Sequence, residues 1–314
     1  KRIYLAGDDD QGIYKWNGAD PKYFTTYFPG REVVLRQTRR FGKEIYKFSQ
    51  IIRRGIFDSV DKDYVHTEKD SYIKRYLNFN EVPFDQCEGT WYILGRVHSS
   101  VTELKMAAKS SGLYFSDNKG NKSFDSKQWQ AIKSWTAVSN GKTITRDAAE
   151  NMYRYLRDLT DYDFRTPKFW QNIPETQTFN FKQLKEWAGL DLNDDQYNQP
   201  WWSVLKRNFT PRQTAYFVLI LKKYGQAKLN QDPKIIIDTI HSVKGGEANN
   251  VLLYSKTNWP ASFSHKTKEE KSDEKRVYYT GVTRAKNTLH ILSTDYKYNY
   301  PIGMDYLMYL QEKT

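Results

Sequence analysis

The sequence contains a single cysteine, Cys87, among 314 residues. One thiol excludes an internal disulfide and a cysteine-rich zinc site, and it is typical of a reducing compartment. The five histidines are scattered singly, so the sequence predicts no metal site. The longest apolar run, at 216–221, is far shorter than a bilayer span. We therefore expect a cytoplasmic protein with no membrane partner.

Acidic residues are in the minority. Asp and Glu number 37 against 49 Lys and Arg, which gives a formal net charge of +12 and a pI near 9.4. Such an excess favours a polyanionic partner. Aromatic residues make up 16% of the chain, with 24 Tyr and 9 Trp, and aromatic faces among cations suit the unpaired bases of nucleic acids. A merely solvated basic surface and a lineage bias towards Tyr stay open as alternatives.

Short apolar runs alternate with helical patterns near both ends of the chain, which indicates an α/β fold with a parallel sheet. The pattern predicts strands at 2–6, 32–35 and 91–94, a helix that ends at Gly55, and a helix capped by Ser100 with Glu103 three residues on. The charged segment 257–275 is expected to be a solvated loop. Residues 116–230 differ, because helical patterns separated by turn clusters hold six of the nine Trp there. They predict an inserted helical subdomain whose last helix starts at Thr210-Pro211 and ends at Gly225.

Four segments, in chain order, carry a resemblance to a known family. They are GDDDQGIYKWNGA at 7–19, LRQTRRF at 35–41, IDTIHSVKGGE at 237–247 and EKRVYYTGVTRAKNTL at 274–289. They resemble motifs III, IV, V and VI of the UvrD/Rep/PcrA group of superfamily 1 DNA helicases. The resemblance implies a RecA-like parallel sheet with an inserted helical subdomain. Residues 1–30 then correspond to the end of the first motor domain, 31–115 and 231–314 to the two parts of the second, and 116–230 to the insert.

The resemblance also implies roles for individual residues. Gln11 is expected to contact the γ-phosphate and the attacking water of ATP, and Arg40 and Arg284 to neutralise the transferring γ-phosphoryl group. We expect the two guanidinium groups to converge on one open face. The implied nucleotide contacts are Arg39, Gly245 and Glu247. The implied contacts to DNA are Tyr14 and Trp16, which stack on bases, and Thr239 and His241, which touch the backbone.

Each of these residues also has an ordinary structural interpretation. Trp16 can be a core aromatic, either arginine can form a salt bridge at a helix end, and a lone histidine such as His241 is usually structural. We expect Asp8 to organise its loop, and its neighbours Asp9 and Asp10 to be solvated.

The 314 residues contain no GxxxxGK[ST] loop, and no Asp-Glu pair follows a predicted strand as in a Walker B element. The expected cofactors are ATP and Mg²⁺, with the magnesium ligands outside this chain. The expected partners are single-stranded DNA, junctions of single and double strands, and an N-terminal motor domain of the same polypeptide. We thus expect the C-terminal part of a bacterial or phage-encoded helicase, inactive on its own. Two alternatives stay open: an ATP-independent nucleic-acid-binding or scaffold protein built on a helicase shell, and a helicase–nuclease subunit.

Overall fold

The computed structural model describes residues 6–26, 33–60, 62, 64–156, 163–187 and 199–313. Residues 2–5 of the strand predicted at 2–6 lie outside them. The chain forms two compact units, the first made of 1–121 with 232–314 and the second of 122–231. The sequence-based interpretation places an insertion at 116–230, and its assignment of motor domains stays a prediction.

The first unit contains most of the strands and the helices that pack on them. Its strands are β1 (Gln37–Gly42), β2 (Val65–Thr67), β3 (Tyr72–Tyr76), β4 (Trp91–Gly95), β5 (Phe115–Ser116), β8 (Ile235–Thr239), β9 (Ala248–Tyr254) and β10 (Ala285–Leu292). Its helices are α1 (Pro21–Thr26), α2 (Lys43–Arg54), α3 (His98–Ser110), α10 (Lys268–Val282) and α11 (Ile302–Lys313).

A six-stranded, all-parallel sheet organises this unit, with strand order β3-β10-β9-β4-β8-β5. Pairing of β4 with β8 sets Trp91 opposite Ile235 and Gly95 opposite Thr239. Because parallel strands end at the same edge, the segments that follow β4 and β8 leave the sheet side by side. The α/β, RecA-like fold class with a parallel sheet and an inserted helical unit is therefore confirmed.

Both faces of the sheet are covered. Val251 and Leu252 are consecutive on β9 and belong to different hydrophobic clusters, since neighbouring side chains of a strand point to opposite faces. The Val251 cluster includes apolar side chains of α2 and α10, whereas the Leu252 cluster includes Val101 and Leu104 of α3. Burial on both faces explains why residues 251–254 of β9 form a continuous apolar run.

Three local expectations are wrong. Residues 33–36 have no regular structure, and the strand predicted at 32–35 instead begins at Gln37. Helix α3 begins at His98, and Ser100 is buried inside it, donating its hydroxyl to the Lys256 carbonyl at 2.6 Å. The charged segment up to Lys275, expected to be a loop, contains the start of α10, where Thr267 and Glu270 form a capping box.

The second unit is mainly helical. Its helices are α4 (Ser126–Ser139), α5 (Arg146–Tyr153), α6 (Pro167–Gln171), α7 (Phe181–Trp187), α8 (Trp201–Val204) and α9 (Pro211–Leu229), and β6 (Ile144–Thr145) pairs antiparallel with β7 (Thr178–Phe179). Helix α9 starts at the predicted Thr210-Pro211 cap, and Gly225, at φ +71°, interrupts it before Leu229. Within the described ranges, no helix of either unit has the length and apolarity needed to cross a bilayer.

Candidate nucleotide and nucleic-acid site

Arg40 and Arg284 are distant in sequence and meet at Thr283. Arg284 follows the end of α10, and its Nη2 donates to Gln11 Oε1 at 2.6 Å and to Thr283 Oγ1 at 3.2 Å. Arg40, on β1, donates from Nη1 to the Thr283 carbonyl at 2.8 Å. The segments that resemble motifs III, IV and VI therefore each contribute a side chain to one small region.

The two arginines differ in what remains open to a ligand. Arg284 is 1% exposed, and its other donors reach the carbonyls of Thr280 and Gly246, both at 3.0 Å. Burial, followed by repulsion from Arg40, lowers the pKa of Arg284 to about 10. It stays charged at neutral pH, but the protein itself satisfies its donors. Arg40 is half-buried, and its Nη2 has no partner in the described part of the chain.

Gln11 is fixed between two charges. Its Nε2 donates to Asp8 Oδ2 at 2.7 Å, while its Oε1 accepts from Arg284. Asp8 in turn accepts from Lys62 at 3.0 Å. An amide placed between a carboxylate and a guanidinium can hydrogen-bond to both in only one orientation, because its nitrogen must face the carboxylate and its oxygen the guanidinium. The Gln11 side chain is therefore held in place.

A cleft of about 130 Å³ opens beside these groups. Its lining includes polar side chains from both ends of the unit: Asp8, Gln11, Gln37, Thr38, Arg40, Gln50 and Thr283. Tyr46, Tyr64 and Tyr279 supply aromatic surface. Arg284 lies behind this lining, one residue beyond Thr283, rather than within it.

The three expected nucleotide contacts lie in different environments. Glu247 accepts from Arg40 Nε at 3.0 Å and also pairs with Lys286. The hydrogen bond from Lys286 lowers the pKa of Glu247 most, and the one from Arg40 lowers it further. Arg39 is exposed and absent from the cleft lining. Gly245 has φ +90°, which favours glycine, and the space where a Cβ would lie is open. The structure thus brings Glu247 to Arg40 and leaves Arg39 apart.

Tyr14 and His241, both expected to contact DNA, are brought together. The Tyr14 hydroxyl donates to the His241 carbonyl at 3.0 Å, and the two rings make an edge contact with their centres 5.9 Å apart. Burial, followed by the charge of Arg96, lowers the pKa of His241 to about 4, so this ring is neutral at pH 7. The Lys244 ammonium lies 4.9 Å from the centre of the Tyr14 ring. The motif pattern does not predict this contact, although Lys244 belongs to the motif.

The other two expected DNA contacts are Thr239 and Trp16. Thr239 ends β8, and its hydroxyl accepts from the Ser242 amide at 3.2 Å, so it caps the turn that carries His241. Trp16 lies in a short 3-10 turn, Lys15–Asn17, and its side chain lies outside the described part of the structure.

The expectation that Asp9 and Asp10 are solvated is wrong. They are 4% and 0% exposed, and the Lys62 ammonium lies among the carboxylates of Asp8, Asp9 and Asp10. Arg276 donates to the Asp9 carbonyl at 3.0 Å. Burial raises the pKa of Asp10, whereas the carboxylates raise that of Lys62 although burial alone would lower it. Adjacent acids look solvated in the sequence because Lys62 is distant in the chain.

The groups present fit a phosphate better than a magnesium ion. Arg40 offers an unused donor beside the cleft, as a phosphate oxygen requires. The three carboxylates lie within 4.8 Å of one another, but an ammonium already takes the central position that a cation would need.

The fold and the site define an α/β protein with a RecA-like sheet and a helical insertion, in which Arg40 and Gln11 line one cleft and Arg284 lies behind it. Residues 207–296 match the family model of the UvrD-like helicase C-terminal domain. This match confirms the resemblance to the C-terminal portion of a UvrD-like helicase and indicates a helicase-related role.

One similar solved structure is the C-terminal domain of a possible DNA helicase from Lactobacillus plantarum WCFS1. It is 12% identical, the match covers 84% of this chain and 95% of that one, and the TM-score is 0.30. The comparison with curated proteins found no match.

Proposed function

We propose that the chain is the C-terminal part of an ATP-dependent DNA helicase that moves 3′ to 5′ on single-stranded DNA and unwinds duplexes. The observation that carries the proposal is the convergence of Arg40, Arg284 and Gln11 around Thr283. A charged donor at the cleft, with a second guanidinium held behind it, suits the spread charge of a transferring phosphoryl group. ATP and Mg²⁺ are the proposed cofactors, and the phosphate loop and magnesium ligands belong to an N-terminal motor domain.

Within this site the residues have distinct proposed roles. Arg40 contacts phosphate directly, because it is the arginine with an unused donor at the cleft. Arg284 holds the Gln11 amide, and it reaches phosphate only when it exchanges that bond. Gly245, Glu247 and the neighbouring Arg39 contribute to nucleotide contact once the partner domain closes on this face. On this account the 314 residues alone do not turn over ATP.

The proposed DNA contact consists of Tyr14, Trp16, Thr239 and His241. Tyr14 presents its ring beside Lys244, so a base and a phosphate can be bound by neighbouring groups. A neutral His241 exchanges hydrogen bonds with the DNA backbone rather than charge. Neither contact reads base identity, which suits movement along any sequence.

Fluorescence anisotropy with a labelled single-stranded oligonucleotide tests the DNA contact. Tyr14→Ala is expected to weaken binding, since loss of one stacked base costs about 1–3 kcal/mol. Tyr14→Phe is the matched control because it keeps the ring and removes only the hydroxyl. Equal affinity of Tyr14→Ala and wild type contradicts the proposed contact. DNA-stimulated ATP hydrolysis by the purified 314 residues contradicts the proposed need for a second motor domain.

One observation favours a second candidate, an ATP-independent nucleic-acid-binding or scaffold protein. The hydrogen-bond donors of Arg284 are satisfied by the chain itself, which is how a purely structural arginine is held. Titration with ATP separates the two functions. The helicase proposal expects ATP binding that Arg40→Ala weakens and that Lys228→Ala, at an exposed lysine with no role in this site, leaves unchanged. The alternative expects no dependence on Arg40.

A further inference from the structure

A second cleft of the first unit, of about 560 Å³, lies where the end of α2 meets the start of α10. Four cations, Arg54, Lys268, Lys271 and Lys275, and two rings, Phe57 and Phe263, line it, and none of its lining residues is acidic. It shares no residue with the cleft at Arg40.

Two of the three lysines of this cleft lie without counter-charges, whereas Lys275 interacts with the Asp305 carboxylate. In the described part of the chain, Lys268 and Lys271 have ring contacts but no carboxylate partner. They lie three residues apart on α10, where like charges repel each other. Arg54 does pair with Glu312 at 2.7 Å, but both side chains are largely exposed, and such pairs contribute little. The cleft therefore presents a net positive charge that an anion would relieve.

Other groups engage three of the four acidic side chains on α10, and the fourth, Glu269, is exposed and does not line the cleft. Glu274 pairs with Arg96 and Lys266. Glu270 accepts from the Thr267 amide at 2.8 Å in the capping box. Asp273 pairs with Lys15 at 3.3 Å and with Arg276 at 3.4 Å. Helix α10 thus directs its paired charges elsewhere and its unpaired lysines into the cleft.

An aromatic ring accompanies this charge. Phe57 is 61% exposed, although its amide is fixed to Ser272 Oγ at 2.8 Å. The Lys268 ammonium lies 3.7 Å from the centre of the Phe57 ring, and much ring surface stays open to solvent beside it. A positively charged groove with an accessible aromatic face is the chemistry that binds phosphates and unpaired bases together.

We propose that this cleft is a second binding site for single-stranded nucleic acid, in which Lys268 and Lys271 contact phosphates and Phe57 stacks on a base. A duplex offers phosphates but no free base faces, and an acidic peptide offers carboxylates but no base. The proposal needs no ATP and does not depend on the function proposed for the cleft at Arg40.

The test measures the affinity of a fluorescein-labelled oligothymidylate by anisotropy over a series of NaCl concentrations. Lys268→Glu with Lys271→Glu is compared with Lys119→Glu and Lys228→Glu, two exposed lysines whose reversal changes the net charge equally. Each phosphate contact on a single strand contributes about 0.7 to the slope of log affinity against log salt, so the cleft pair is expected to lower the slope by about 1.4. The control pair is expected to change the slope far less.

Phe57→Ala is expected to weaken binding at least about fivefold with the salt slope unchanged, and Phe57→Tyr to retain binding. All variants are repeated in a Tyr14→Ala background, so that a failure of the proposed DNA contact at Tyr14 is distinguished from a failure of the cleft. Thermal melts check that each variant folds.

Three outcomes overturn the proposal. One is an equal effect of the cleft pair and the control pair, and another is wild-type affinity in Phe57→Ala. The third is competition by duplex DNA or by poly-glutamate that matches competition by unlabelled oligothymidylate, because it identifies a general polyanion or acidic-peptide site.

Discussion

Replacing Lys62 by methionine tests the buried charge cluster beside the candidate site. Lys62 is 11% exposed at its side chain, and it contacts Asp9 and Asp10, which are 4% and 0% exposed. Methionine keeps most of the chain length but leaves three carboxylates without their cation. Arg276 does not replace it, because within this cluster it reaches only the main-chain carbonyl of Asp9. Removing one partner of a buried ion pair costs about 3–5 kcal/mol, and we expect a loss of this size in the free energy of unfolding at pH 7.

The loss depends on pH in a defined direction. The folded pKa of Lys62 is raised above its ordinary 10.5, so its stabilising contribution is fully present below pH 10.5 and disappears as the pH rises through the folded value. The pKa of Asp10 is already raised by burial, and it rises further when Lys62 is absent. Protonation of Asp10 at acid pH therefore removes part of the uncompensated negative charge in the Lys62→Met variant. The difference between wild type and Lys62→Met is expected to be large at pH 7 and smaller near pH 4.

Urea unfolding by circular dichroism, with hydrogen exchange followed on the peptide 6–20, measures this effect. The exchange readout is needed because the chain has two units that can unfold separately. Lys119→Met is the control, at an exposed lysine where a change within about 0.5 kcal/mol is expected. A loss below about 1 kcal/mol for Lys62→Met, or an equal loss at both pH values, refutes the argument from burial.

Three further predictions concern packing, capping and titration. Gly246→Ala is expected to lower the free energy of unfolding by about 1–3 kcal/mol, since its Cβ would lie 2.5 Å from Tyr92 Oη, and Tyr92→Phe is expected to restore part of the loss in urea titrations. Thr210→Ala removes the cap on the Gln213 amide at the start of α9, so a loss of about 1 kcal/mol and faster amide exchange are expected there, and unchanged exchange contradicts this. Burial lowers the pKa of His290 from 6.5 to about 4, so stability is expected to fall as the pH decreases from 6.5 to 4, and His290→Phe to flatten that dependence in denaturation curves recorded at several pH values.

Elements governed by nearby residues were predictable. The strand expected at 91–94 is observed at Trp91–Gly95, because an apolar run buried on both faces of a sheet has a recognisable pattern. The start of α9 follows from two residues. The Thr210 side chain accepts a hydrogen bond from a free amide of the first turn, and Pro211 has no amide hydrogen that needs a partner.

Competition from distant groups explains where prediction failed. Ser100 and Glu103 form a plausible capping pair, but the Ser100 hydroxyl donates to Lys256, which is 156 residues away. The apolar run near 32–35 suggested a strand, whereas the pairing with β2 begins at Gln37. In both cases the deciding partner lies outside the window that a local pattern covers.

Of the candidate site, the sequence showed which residues carry charge and which motifs they belong to, since these follow from residue type and spacing. It could not show that Arg284 is buried against Gln11, 273 residues away, while Arg40 keeps an unused donor. Local sequence decides periodicity, caps and turns because those interactions span a few residues. Folding decides burial and the choice of hydrogen-bond partner, because both depend on which distant groups reach the same place.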